Sequence, residues 1–124
     1  MIKVTIDEAS AFDMLSILEI KLIGEWRMEQ AKKKRLNENY ELLKSEIVEQ
    51  IGEDKFNQIL DSEEYRFLLA SNNVVFQMID KVKESKAREA QTSKIVQSMN
   101  DDRFRCKGNL QNTFFNNKLI EQKL

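Results

Sequence analysis

Residues 5–26 read TIDEASAFDMLSILEIKLIGEW. Thr5 followed by Glu8 gives the T-x-x-E pattern of a capping box, so a helix is expected to start near Ile6. Only Gly24 weakens its far end. At about 100° per residue, Phe12, Met14, Leu15, Ile17, Leu18, Ile20, Leu22, Ile23 and Trp26 fall on nearly every side of the axis. A helix that is apolar all round belongs in the middle of its domain. The rest of the chain is therefore expected to wrap this segment with further helices.

The composition agrees. The chain has 124 residues, no Pro and three Gly. Such a chain makes few tight turns and favours long helices over a sandwich or barrel. The length suits one domain, residues 1–124. The expected class is all-α: a bundle of about four long helices, preceded by a short extended segment, IKVTI at residues 2–6.

Working outward, Leu36, Tyr40, Leu43, Ile47 and Ile51 recur at three- and four-residue steps and mark an amphipathic helix ending at Gly52. A break or kink is expected between Gly24 and Lys34, so that residues 6–51 form two helices or one long bent one. Residues 54–60 predict a short helix, with Phe56, Ile59 and Leu60 inward. Ser62, Glu63 and Glu64 open a long helix carrying Phe67, Leu68, Val75, Phe76, Ile79 and Val82. Residues 83–94 read as a polar extension or loop. Asn100 and Asp101 are the expected caps of a last helix running to about Phe115.

Several polar side chains stand where apolar ones are expected. In the first helix these are Asp13, Glu19 and Lys21. In the long central helix Asn72 shares the arc of Phe76 and Ile79, with Asp80 beside it. In the last helix Arg103 and Lys107 project into the arc of Phe104, Leu110 and Phe114, together with Asn100 and Gln111. A buried unpaired carboxylate costs several kcal/mol, so partners are required. Glu19 is expected to be mostly buried and to meet Arg103 or Lys107. The set reads either as a salt-bridge network fixing the bundle's register or as a pocket between helices.

These residues also carry a family resemblance. IDEASAFDMLSILEIKL resembles the opening of domain-of-unknown-function family 6165, with the family's Asp on Asp13 and its Glu and Lys on Glu19 and Lys21. Its Asn, bulky apolar pair and Asp fall on Asn72, Val75, Phe76 and Asp80. NDDRFRCKGNLQNTFFNNKLIEQKL resembles the family's closing stretch, matching at Asn100, Asp101, Arg103, Phe104, Lys107 and the Glu121–Lys123 tail. The chain departs from the pattern at Asn112, one step late, and at Leu124. The resemblance implies a small helical bacterial or phage protein, sometimes encoded near surface-polysaccharide genes. It implies no activity.

Other chemistries are narrowed by composition. The chain has no His and one Cys. That excludes Ser–His and Cys–His pairs, imidazole metal sites and an internal disulfide. Cys106 reads as a small core residue. The net charge of −1 argues against a dedicated nucleic-acid binder, and the KKKR run at residues 32–35 reads as a solvated helix face. No apolar run reaches the roughly 18 residues of a membrane span. The N-terminus lacks a signal peptide's pattern, so a reducing cytoplasm is the expected compartment. No cofactor is implied.

The functional reading is a binding or self-associating module whose partner is another protein or a second copy, with Tyr40, Ile47 and Val48 near the interface. The binding set is Asp13, Glu19, Lys21, Asn72, Asp80, Asn100, Asp101, Arg103 and Lys107. The alternative is an enzyme processing a small molecule, nucleotide or sugar nucleotide at the same set.

Overall fold

In the computed structural model, which describes residues 2, 5–24, 29–84 and 89–116 and their side chains apart from 79–93 and 95, the regular structure is helical throughout. Among these residues four long helices and one short one follow in order: α1 (Glu8–Gly24), α2 (Gln30–Ile51), α3 (Glu53–Leu60), α4 (Glu63–Glu84) and α5 (Glu89–Phe115). The described residues contain no strand, and Thr5 and Ile6 are exposed with no regular structure.

Chain punctuation sets these limits. Asp7 heads α1 in place of Thr5: its carbonyl accepts from the Ser10 and Ala11 N–H groups at 3.0 and 3.3 Å, and the residue is buried. Asp is a better residue than Thr for this position, which moves the start two residues past the expected Ile6. The α1 and α2 segments form separate helices that pack against each other. Gly52 separates α2 from α3 at φ +89°, a backbone region that excludes most side chains, and its N–H donates to the Val48 carbonyl at 2.8 Å. Ser62 caps α4, its Oγ accepting from the Tyr65 N–H at 3.1 Å. Asn116 at φ +53° ends α5, as Asn at this position often does.

The last helix begins earlier than expected. Asn100 and Asp101 lie well inside α5, which starts at Glu89. No Pro or Gly interrupts residues 89–99, so nothing forces the helix to stop there.

α1 packs against α2, α4 and α5, while α3 bridges α2 and α4. The core gathers Ala9, Phe12, Leu15, Ile47, Phe56, Ile59, Tyr65, Leu68 and Leu110. Phe12 stacks on Phe56 with centroids 5.8 Å apart and meets Tyr65 edge-on at 6.2 Å. Each such side chain contributes about 1.5–3 kcal/mol by burial. The encirclement of α1 is incomplete, because Met14 and Ile23 are exposed. On α4 the inward stripe is Tyr65, Leu68 and Asn72, and Phe67 points out. Ile47 belongs to the chain's own core, and Tyr40 and Val48 are partly buried against it. Among the described residues, no helix is long and apolar enough to cross a membrane.

Candidate functional site

The polar side chains of α1 meet those of α4 and α5 at one junction. Asp13 is 3% exposed. Its Oδ1 accepts from Asn72 Nδ2 at 2.7 Å and from Arg103 Nε at 3.1 Å. Its Oδ2 accepts from Arg103 Nη2, completing a bidentate ion pair. Asn72, itself buried, also donates to Ser16 Oγ at 2.7 Å, and Ser16 donates to the Asp13 carbonyl one turn back. One carboxylate thus ties three helices. Its helix supplies it because Ala9, Phe12, Asp13 and Ser16 share one face at the 3.6-residue period. The guanidinium side is open: the Arg103 side chain is 33% exposed and that of Asp13 only 4%.

A second polar junction lies at the head of α1. Gln111 is 1% exposed. Its Oε1 accepts from the Ala9 N–H at 2.8 Å and its Nε2 donates to Glu8. The first N–H groups of a helix have no intrahelical partner, so α5 caps α1 from across the bundle. Lys107, one turn after Arg103, is buried on the same inward face. Arg103 and Lys107 therefore stand inward as the sequence predicts.

Glu19 differs from expectation. It is half-buried, and its Oε2 accepts from the Tyr65 hydroxyl at 2.7 Å. The fork of Arg103 engages Asp13 instead. Asp13 sits on the most buried face of α1, so it is the carboxylate that the cation reaches. Burial first, then the Glu19 hydrogen bond and charge, push the Tyr65 phenol well above its ordinary range. Burial and the Glu19 and Glu41 charges raise Tyr40 as well.

The remaining predicted residues lie apart from this junction or outside its description. Lys21 is exposed, with its ammonium 6.0 Å from the Phe76 ring centre. Asn100 is exposed, which corrects its inward placement, and Asp101 is half-buried. The Asp80 side chain lies outside the described residues. Ser16 and Tyr65 join the polar contacts without having been singled out. The sequence signal for Ser16 was its spacing of three from Asp13. Tyr65 gave none, standing in the first turn of α4 outside the apolar set read for that helix.

A different feature opens to solvent. Between α4 and α5 runs a groove of about 530 Å³ whose walls include Phe67, Val74, Met99 and Cys106. Phe67 is 62% exposed and Val74 is 46% exposed. Burial and the nearby Asp102 charge raise the Cys106 thiol above its ordinary value, against a lowering effect of Arg105. Among the described residues no three carboxylate or thiol groups converge to hold a metal ion. No family model, curated protein or solved structure matches the chain.

Proposed function

We propose that this chain is a non-enzymatic helical binding module of the family 6165 kind, acting in a reducing bacterial or phage-infected cytoplasm. The internal polar network fixes the bundle, and the α4–α5 groove takes a protein partner. One contrast carries the reading. Asp13, Ser16 and Asn72 are nearly inaccessible and bond to one another, while Phe67 and Val74 stand in solvent over a groove. Substrate sites need access to their polar groups, whereas exposed apolar patches mark interaction surfaces.

A thermal-stability screen against nucleotides, sugar nucleotides and Mg²⁺ tests this reading. A ligand at about a hundred times its Kd adds about 2.7 kcal/mol. The module reading predicts no shift with these compounds, and a clear shift with one of them would favour the enzyme. Light scattering tests the other occupant: a dimer that Phe67→Ser disperses would place a second copy in the groove.

A further inference from the structure

We infer that the α4–α5 groove receives a basic amphipathic helix from another protein. The inference rests on the binding-module reading and specifies its partner. Shape comes first. The α4 wall runs from Glu63 to Val74, about 17 Å at 1.5 Å per residue. A groove between two helices with Phe67, Val74, Met99 and Cys106 along it is a setting in which a partner helix can lay down an apolar stripe. The described residues offer no strand edge for an extended peptide to join.

Charge then selects the partner. Among the described residues Glu63, Glu64 and Asp102 line the groove, and no Lys or Arg does. The chain as a whole is nearly balanced, with 20 basic and 21 acidic residues, so this rim departs from the background. Glu63 and Glu64 also suit the first turn of α4, where acids favour the helix dipole. Asp102 has no such reason, because it sits mid-helix in α5. It pairs with Arg105, 3.8 Å away and exposed, a contact of little energetic weight. A rim of this sign repels nucleic acid and anionic lipid and attracts lysine or arginine flanking an apolar stripe.

The test uses two labelled, end-capped peptides of about four helical turns. Both carry leucine at heptad a, d and e positions; one has lysine elsewhere and its twin has glutamate. Fluorescence anisotropy with the full chain is expected to show the basic peptide binding at least about tenfold more tightly than the twin, and weakening with salt. Phe67→Ser should weaken it about tenfold or more. The triple change Glu63→Gln, Glu64→Gln and Asp102→Asn should close the gap between the peptides. These side chains are exposed or half-buried, and circular dichroism checks that the variants fold. No binding of the basic peptide, or equal binding by the triple variant, would overturn the inference. If the acidic twin binds better and depends on Phe67, the groove stands as a docking site and the basic partner falls. If neither binds, the helical partner falls, and the thermal screen separately decides between module and enzyme.

Discussion

Arg103 grips both carboxylate oxygens of Asp13, ninety positions earlier in the chain. The contact joins α5 to α1, and Asn72 extends it to α4. Hydrophobic burial is not directional, so a helix packed by apolar contacts alone can rotate or slip by a turn at modest cost. A two-pronged guanidinium bond has a fixed plane and fixed distances. Buried ion pairs add little net stability against an apolar replacement, so on the reading proposed above the pair is expected to act mainly by choosing one arrangement of the helices.

The cap supplied by Gln111 makes a second test of tertiary register. Gln111→Leu removes the acceptor of the Ala9 N–H and the donor to Glu8. An unsatisfied buried group costs about 1–3 kcal/mol, and the new side chain recovers only part of that through apolar burial. Urea unfolding should show a midpoint shifted down by a loss in this range. An unchanged midpoint would mean that the head of α1 finds another partner.

Gly52 is predicted to resist both alanine and asparagine. A Cβ there would meet nothing within 4 Å, so crowding plays no part. The backbone lies at φ 89° and ψ 154°, a region essentially confined to glycine, at a cost of about 1–3 kcal/mol for other residues. Asparagine relieves the left-handed helical region but not this one. Thermal unfolding of Gly52→Ala and Gly52→Asn should show similar losses, and a neutral Asn variant would contradict the backbone argument.

Alkaline pH should unfold the protein through its tyrosines. The folded state holds the Tyr65 and Tyr40 protons more tightly than the unfolded chain does. Their contribution is full below the unfolded value of about 10 and is lost as pH rises above it, at up to about 1.4 kcal/mol per pH unit per group. Phenolate absorbance should rise together with loss of helix, and Tyr65→Phe should shallow the alkaline fall. Ordinary titration of Tyr65 in the folded protein would contradict its burial and its bond to Glu19.

Much of this architecture is legible in the residues. Gly52 and Ser62 punctuate the chain where they are expected to, and Asn72, Arg103 and Lys107 lie inward as their helical phase predicts. What the pattern could not supply was the rotation of α1. Its apolar residues surround the axis, so no stripe points to the core, and Glu19 stood in the densest arc while Asp13 took the buried position. The start of α5 was obscured for a different reason. Asn100 and Asp101 are good caps, but a local cap preference cannot stop a helix whose preceding residues also favour the helical state. The α4–α5 groove was hidden because Phe67 reads as a core residue, and only the packed helices place it outside.

The register account is tested most directly by a double-mutant cycle on Asp13 and Arg103, read by equilibrium unfolding. Arg103→Met leaves a 4%-exposed carboxylate side chain without its countercharge, a loss of about 3–5 kcal/mol. Asp13→Leu leaves a guanidinium that is one-third exposed and reaches water, so its loss is discounted to about 1–3 kcal/mol. The double variant is expected to cost clearly less than the two losses together, with a coupling of about 1–3 kcal/mol. Additive losses, or a more severe loss for Asp13→Leu than for Arg103→Met, would contradict a buried carboxylate clamped by Arg103.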